Sequence, residues 1–413
     1  MNEMTIYWIW LQLCLGSGAK VDEAIAYFGN PKAIYQSGHE ERVYSNAFSA
    51  QQLKKLSAKS IDDAQQVIVE CEKIGCGIIT PDSDKYPKSL MCMSNYPLVL
   101  YTLGNIECLK NKLAISIVGT RKASESGLDI AGKLGASLSR ANVVVVSGGA
   151  FGIDSAAHLG VLSQKGSTVA VIGCGFNSKY RDGIVDFRQD IIENGAIISE
   201  YPPSTEAKGV NFPIRNRIIA ALGRGTVVVE AAVKSGSLIT ANLASDLGRD
   251  IFAVPGNAAN LTQIGTINLI RDGATPVFSS LDILGQYVFD DVDLINWDEV
   301  ESDFLYQNAE KIDFSKIKYG VKRIVQKTPV LPEKELEKIP PANEIDEKKR
   351  EDKIKDLSDN AKKILEAFEN DIASIDEIKE YTGFSMPTVL VGLTQLEISG
   401  IIKSQPGHNY KKI

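Results

Sequence analysis

The sequence is poor in the residues that build metal and disulfide sites. It has three histidines and six cysteines in 413 residues, and no two cysteines form a C-x-x-C pair. This scarcity disfavours a zinc ribbon and a disulfide framework, and it fits a reducing compartment. We therefore expect a cytoplasmic protein that holds no metal.

Long hydrophobic runs are also absent. No run approaches the ~20 apolar residues that a membrane-spanning helix needs. Residues 6–15 are apolar, but Trp, Gln and Tyr interrupt them, and neither a basic segment nor an A-x-A cleavage site flanks them. The stretch therefore predicts a core helix and not a signal peptide, and we expect a soluble protein without a membrane span.

The common catalytic and cofactor motifs are missing too. The chain has no G-x-S-x-G elbow, no Walker A loop, no H-E-x-x-H pair and no G-x-G-x-x-G loop of the dinucleotide-binding kind. Each of these motifs supplies a specific nucleophile, phosphate cradle or metal ligand set. We therefore expect no cofactor, and a binding protein rather than an enzyme.

Length and charge limit the number of domains and the kind of binding site that the chain can have. A chain of this length with 44% hydrophobic residues predicts two or three domains. The formal net charge of −7 argues against a polybasic coat for nucleic acid. Residues 113–278, however, carry 15 Lys and Arg against 13 Asp and Glu. Any anion-binding site is therefore local, and this slightly basic segment permits one.

The same segment has the pattern of an α/β, Rossmann-like, doubly wound parallel sheet. Short β-rich runs alternate with helical patterns such as 127–140 and 238–247. The runs are almost continuously apolar, as expected for strands that are covered on both faces. They lie at residues 113–118, 143–146, 168–172, 196–199, 226–229 and 251–254.

The flanking regions differ in pattern, and we divide the chain into four parts. Residues 1–80 predict a small helical domain of the SAM or helix-hairpin-helix kind, and residues 81–285 hold the Rossmann-like domain. Residues 286–356 form a charged, proline-containing linker. Residues 357–413 predict three short helices, a strand at Ile401 and a turn at Gly407, which is typical of a winged helix-turn-helix.

Five of the predicted strands end in segments rich in glycine, hydroxyl and basic residues. The carboxyl ends of parallel strands meet at one edge of the sheet, where glycine loops and helix N-termini favour phosphate. Phe212 beside basic residues suits base stacking, and packing on its own helix is the alternative. The candidate DNA- or phosphate-binding residues are Gly119, Thr120, Arg121, Ser147, Gly148, Gly149, Gly152, Lys179, Lys208, Phe212, Asn216, Arg217, Lys234, Ser235, Gly236 and Ser237.

Two other polar residues stand inside these motifs. His158 is a single histidine in an apolar helical pattern, and we interpret it as a packed or capping residue without a catalytic role. Glu230 follows the fifth strand, and we interpret it as orienting an arginine of the groove or capping a helix. We therefore assign no catalytic residue.

In this order, the motifs resemble the DNA-processing protein A family, also called DprA or Smf. The resemblance rests on residues 118–121, 147–154 with His158, 212–222, 230–231 with 235–240, and 253–256. It implies a protein that binds single-stranded DNA, protects incoming strands and helps to load the RecA recombinase during natural transformation and recombination. It also implies a homodimer through the Rossmann-like domain, a DNA contact by Arg121, and a cation and a stacking ring from Lys208 and Phe212.

Two positions depart from the family pattern. The family commonly has Tyr-Pro followed by a lysine after the third strand, whereas Tyr180 is followed here by Arg-Asp-Gly. The family tends to have Tyr before the glycine of the first helix, whereas this chain has Ser126 before Gly127. We expect a DNA contact near residues 179–183 to be shifted or absent.

Two other functions stay open at this point. A nucleoside-monophosphate phosphoribohydrolase-like enzyme of the LOG type uses a similar sheet, but its Pro-Gly-Gly-x-Gly-Thr motif is absent at residues 230–236. A duplex-DNA regulator would use the third C-terminal helix, residues 387–399, which has no Lys or Arg for the phosphate backbone. We expect the winged helix to contact protein or to bind DNA weakly.

Overall fold

The computed structural model describes residues 2–300, 312, 314, 357–368, 372–384, 386–405 and 409–412. The chain divides into two compact units, Met1–Gln326 and Lys327–Ile413. Most of the linker predicted at 286–356 lies outside the described residues. Within the described ranges, no helix is both long enough and apolar enough to cross a membrane.

The first unit opens with short helices around a buried tryptophan. Trp10 is fully buried, and its Nε1 donates to the carbonyl of Lys59 at 2.9 Å. Ser49 caps one helix by accepting from the N–H of Gln52, and such caps satisfy orphan donors at short helices. The helices are α1 (Met4–Leu15), α2 (Asp22–Phe28), α3 (Pro31–Gln36), α4 (His39–Tyr44), α5 (Ala50–Ala58) and α6 (Ile61–Lys73).

A nine-stranded sheet follows, in the order β1-β2-β6-β5-β4-β3-β7-β8-β9. The pairs β1–β2 and β2–β6 are antiparallel, and the other pairs are parallel. The doubly wound α/β prediction is thus confirmed, although the two antiparallel strands at one edge were not predicted. The strands are β1 (Gly77–Ile79), β2 (Leu100–Gly104), β3 (Ala114–Val118), β4 (Val144–Ser147), β5 (Thr168–Ile172), β6 (Ala196–Ser199), β7 (Gly225–Val228), β8 (Asp250–Ala253) and β9 (Thr275–Pro276).

Helices cover both faces of this sheet. Side chains alternate along a strand, so Ile115 and Ile117 pack with one group of helices, and Ala114 and Val118 pack with another. The first group comprises α7 (Glu125–Arg140), α8 (Ile153–Ser163) and α9 (Arg188–Asn194). The second comprises α10 (Asn211–Leu222) and α11 (Gly236–Asp246). The first unit also contains α12 (Ile264–Arg271) and α13 (Ser280–Leu284).

The topology places a crevice between β3 and β7. The chain leaves β3 toward β4 on one side, and it returns after β6 to add β7 on the other side. The loops after β3 and β7 therefore diverge at the carboxyl ends of neighbouring strands. Open α/β sheets bind their ligands at such a switch point.

The described residues of the second unit form three helices and a small antiparallel sheet. Ala361, Ile364 and Leu393 are among the buried residues of its core. The order agrees with the winged helix-turn-helix prediction, and the first strand was not predicted. The predicted Gly407 turn lies outside the described residues. The elements are α14 (Asp359–Glu366), β10 (Ile372–Ser374), α15 (Ile375–Thr382), α16 (Met386–Ile398), β11 (Ile402–Gln405) and β12 (Asn409–Lys412).

Candidate functional site

A groove with a cavity volume of about 610 Å³ lies at the carboxyl ends of the parallel strands. The loops after β3 and β7 and the N-terminal part of α10 form its walls. A smaller cavity beneath it adds Gly148 and Gly149. The candidate residues that line the groove itself are Gly119, Thr120, Arg121, Phe212, Asn216, Ser235, Gly236 and Ser237.

The Phe212 ring lies close to two guanidinium groups. Cζ of Arg121 is 5.3 Å from the ring centroid, and Cζ of Arg215 is 5.9 Å from it. Both distances fall within the range of cation–π attraction. Gly173, just after β5, lets the ring approach closely, because a Cβ at this glycine would lie 3.0 Å from Cδ1 of Phe212. The half-buried ring is thus both packed and flanked by cations.

A carboxylate of the chain itself occupies the glycine-rich loop after β4, residues 148–152. Oδ2 of Asp154 accepts from the N–H of Gly148 at 3.1 Å and from that of Ala150 at 3.3 Å. Arg215 donates to the carbonyls of Gly148 and Val171. Burial raises the pKa of Asp154 to about 6, although the Arg215 charge lowers it. These two loop N–H groups are therefore already satisfied within the protein.

A second carboxylate occupies the N-terminus of α7. Oε2 of Glu230 accepts from the N–H of Ser124 at 3.0 Å and from its hydroxyl at 2.8 Å. Oε1 accepts from Oγ1 of Thr262 at 2.8 Å. Gly127 leaves room for this arrangement, since a Cβ there would lie 2.3 Å from Oε2. Glu230 therefore caps a helix, where an anion is favoured by the helix dipole, and it does not line the groove.

The N-terminus of α11, residues 235–237, faces the groove. Oγ of Ser235 accepts from the N–H of Ser237 at 3.4 Å, and Nδ2 of Asn216 donates to the carbonyl of Gly236 at 3.4 Å. A Cβ at Gly236 would meet nothing within 4 Å. Among the residues that the structure describes, no carboxylate accepts from this helix end. Unlike the other two strand-end segments, it is therefore not filled by a described carboxylate, and helix N-termini favour anions.

Six candidate residues line neither the groove nor the smaller cavity. They are Ser147, Gly152, Lys179, Lys208, Arg217 and Lys234. Ser147 is buried and donates to the carbonyl of Ile117 at 2.6 Å, and Gly152 is buried close to the carbonyl of Thr120. The three lysines are exposed. Their charge therefore surrounds the groove and does not line it.

Arg217 points away from the groove, which corrects the expectation that it meets phosphate there. It is 4% exposed, and its Nη2 donates to Oε1 of Glu200 at 2.6 Å. The same oxygen accepts from the N–H of Gly18 at 3.2 Å. Two helical residues i and i+2 face different sides, so Arg215 reaches the groove and Arg217 does not. The pair therefore ties α10 to the loop after α1.

Three residues that shape the groove, Arg215, Asp154 and Tyr180, are absent from the candidates predicted from the sequence. Asp154 lies inside the glycine-rich motif after β4, and Tyr180 follows β5 at the same strand-end edge as the other candidates. That shared edge was the available signal. His158 is packed in the core, with Nδ1 2.7 Å from Oγ1 of Thr168, and burial lowers its pKa to about 3.

Another cavity, of about 710 Å³, lies away from the groove, beside Leu113 and Arg224 at the amino ends of the strands. Two of its cations are paired, Lys85 with Glu107 at 2.8 Å and Arg224 with Asp290 at 3.1 Å. No group of three or more His, Cys, Asp or Glu in the described part of the chain is placed to hold a metal ion. Eight of the predicted binding residues line the strand-end groove and none lines this cavity, so the groove is the candidate site.

Fold and groove together define an open α/β protein with a cationic, aromatic strand-end groove and a separate winged-helix unit. A family model described as DNA recombination-mediator protein A matches residues 77–288. A second, described as DprA winged helix domain, matches residues 348–408. The winged-helix prediction is thereby confirmed.

Named relatives agree with these matches. Protein Smf of Synechocystis sp. is 31% identical over 350 residues, which cover 84% of this chain and 83% of that protein. DNA processing protein DprA of Streptococcus pneumoniae is 39% identical over 206 residues, 50% of this chain and 72% of the relative. Its X-ray structure aligns with a TM-score of 0.61 at 30% identity, over 69% of this chain and 99% of that chain. The chain belongs to the DNA-processing protein A (DprA/Smf) family.

Proposed function

We propose that the chain binds single-stranded DNA in the strand-end groove. The observation that carries this proposal is the half-buried Phe212 ring beside Arg121 and Arg215, next to the N-terminus of α11. A π face for a base together with cations and N–H donors for the backbone is the combination that sequence-indifferent single-strand sites use. Stacked and paired bases of a duplex do not present their faces to such a ring.

The roles divide between the two ends of the groove. Arg121 is exposed and lies over the Phe212 ring, so an arriving base covers or displaces its guanidinium, which can then pair with a phosphate. The hydroxyls of Ser235 and Ser237 lie 2.8 Å apart, so one of them can donate to a further phosphate beside the N–H of Gly236 at the start of α11. The exposed Lys179, Lys208 and Lys234 raise the local concentration of the strand.

Family membership supports a wider proposal. We infer that the protein protects incoming single strands and helps to load RecA during transformation and recombination, in the cytoplasm and as a homodimer through the Rossmann-like domain. Sedimentation velocity of the full chain tests the dimer. RecA assembly on strands coated by single-strand-binding protein tests the loading, and the proposal expects assembly to be faster when this protein is added.

We infer a binding role and not hydrolysis of nucleoside monophosphates. The glutamate that the hydrolase alternative would need is Glu230. Both of its carboxylate oxygens are engaged by Ser124 and Thr262, outside the groove lining. A base or nucleophile must reach the reacting atom of the substrate, so the burial of Glu230 outside the groove lining supports a binding role.

The test is binding of fluorescent oligothymidylate and of a matched duplex across a range of salt. We expect a preference for the single strand, and a fall of log affinity with log salt whose slope is about 0.7 for each phosphate that the protein neutralises. Arg121→Ala should weaken binding about tenfold and make this slope shallower, because it removes a charge-assisted bond to phosphate. Lys54→Ala removes an exposed cation of α5 and should change neither. Equal affinity for duplex and single strand would refute the proposal.

A further inference from the structure

The segment after β5 departs from the family pattern, and it still reaches the groove. Tyr180 lines both the groove and the smaller cavity beneath it. Its ring centroid is 5.3 Å from that of Phe212, and the two planes are tilted by 53°. The two rings therefore form one continuous aromatic corner in the groove wall.

The chain holds this segment in place through its neighbours. The N–H of Tyr180 donates to Oγ of Ser178 at 3.2 Å. Two residues further on, Asp182 is buried and pairs with Arg188 at 2.6 Å. The N–H of Gly183 donates to the carbonyl of Gly149 at 2.9 Å, which anchors the segment to the β4 loop. The backbone that carries Tyr180 is thus anchored by contacts within the protein.

The hydroxyl of Tyr180 distinguishes it from the core tyrosines. The hydroxyls of Tyr86 and Tyr101 donate to Pro97 and Gln12 at 2.7 and 2.8 Å. Tyr180 is half-buried, and its hydroxyl makes no hydrogen bond to any residue that the structure describes. A buried tyrosine hydroxyl usually has a partner, so this ring is placed with its polar end toward solvent and its body in the groove wall.

We propose that Tyr180 is a second base-stacking residue, so that the groove holds two neighbouring bases of one strand. The ring centroids of Tyr180 and Phe212 are 5.3 Å apart, which leaves no space for a base between them, and both residues line the groove. Every base has a π face, so the second ring adds affinity without adding sequence preference. This inference rests on the proposed function and extends it to the neighbouring base.

The test compares two oligonucleotides that are otherwise abasic. One carries a single thymine, and the other carries thymine at two adjacent positions. For the native chain, the second thymine should raise affinity at least fivefold, about what one stacked base contributes. Tyr180→Leu keeps apolar volume and removes the ring, so the second thymine should add nothing while the first keeps its effect. Tyr180→Phe keeps the ring and should restore the gain.

Matched variants separate this inference from the proposed function. Phe176→Leu alters a half-buried ring of the same loop that lines neither cavity, and the gain from the second thymine should persist. Should Tyr180→Leu fail to fold by circular dichroism, Tyr180→Gln provides the same comparison. A full gain in the ringless Tyr180 variant overturns the inference. Failure of Phe212→Leu to weaken binding of the one-thymine strand instead overturns the stacking site on which it rests.

Discussion

The loop after β4 and the loop after β7 differ in whether a carboxylate of the protein itself occupies their N–H donors. The β4 loop has three glycines in five residues, yet Asp154 accepts from two of its N–H groups. The segment from the end of β7 to the first residue of α11 has one glycine, Gly236, yet this helix end faces the groove without a carboxylate partner among the described residues. The loop with more glycines is thus the one in which a carboxylate of the protein already accepts from the N–H groups.

Glycine therefore marks close approach and does not identify what approaches. At Gly148 a Cβ would lie 2.7 Å from Oδ2 of Asp154 and 2.9 Å from Nη1 of Arg215. At Gly152 it would lie 2.4 Å from the carbonyl oxygen of Thr120. In both places the close neighbour is the chain itself. Substitutions in the two loops can test whether each loop serves the packing of the protein or the approach of a ligand.

The largest effect is expected at the β4 loop. Gly152 has φ of 82°, and its Cβ position is blocked by backbone, so Gly152→Ala should cost about 4 kcal/mol of unfolding free energy through strain and overpacking. Gly236→Ala should change it by less than about 1 kcal/mol, because that position is open. All three tryptophans, Trp8, Trp10 and Trp297, lie in the first unit, so their fluorescence during urea unfolding gives both values. Equal losses of stability at the two glycines would contradict the contrast.

The next effect depends on pH. The pKa of Asp154 is about 6 in the folded chain against 3.8 ordinarily. Between these values the folded state binds a proton that the unfolded state has released, so this group adds stability as pH falls from about 6 to about 4. The gain is at most about 3 kcal/mol, and Asp154→Asn should abolish it.

The contribution of Asp154 is measured as the difference in unfolding free energy between the native chain and Asp154→Asn. Lys85 holds the pKa of Glu107 below its ordinary value, and such carboxylates destabilise the fold when acid protonates them. The unfolding free energy of the native chain relative to Asp154→Asn, at pH 7 and at pH 5, isolates the single group. Parallel pH profiles of the two proteins would show that Asp154 is not responsible.

The sequence predicted six of the seven strands in the parallel part of the sheet within one residue, because each of the six is a continuous apolar run between turn signals. It missed the two-residue strand Thr275–Pro276. The same strand ends predicted the edge of the sheet that carries the groove, because the carboxyl ends of parallel strands meet there. The sequence did not predict that Arg217 pairs with Glu200 or that Glu230 reaches Ser124, because these partners are 17 and 106 residues apart and their meeting depends on packing. The strand Leu100–Gly104 was missed since it lies at the antiparallel edge, before the first recognised motif.

A smaller effect is expected at the carboxylate that fills the N-terminus of α7. Glu230→Gln keeps one acceptor oxygen and turns the other into a donor that faces Ser124 or Thr262. The unfolding free energy should fall by about 2 kcal/mol. Binding of oligothymidylate should stay within about twofold of native, as judged by the same titration.

The same variant tests the hydrolase alternative. Release of free base from nucleoside monophosphates should be absent in the native chain and in Glu230→Gln, with a dedicated phosphoribohydrolase as the positive control. Turnover by the native chain that disappears in Glu230→Gln would assign a catalytic role to this glutamate and would replace the binding function proposed for the groove.

The smallest effect is expected at the open helix end, where two serine caps make a matched pair. Ser235 caps α11 beside the groove, and Ser49 caps α5 in the N-terminal helices. Replacing either serine by alanine should lower the unfolding free energy by about 1 kcal/mol, because each change removes one N-cap acceptor. Only Ser235→Ala should also weaken oligothymidylate binding, about threefold, since only that hydroxyl faces the groove. Equal DNA affinity of the two variants would mean that the N-terminus of α11, like that of α7, serves the fold alone.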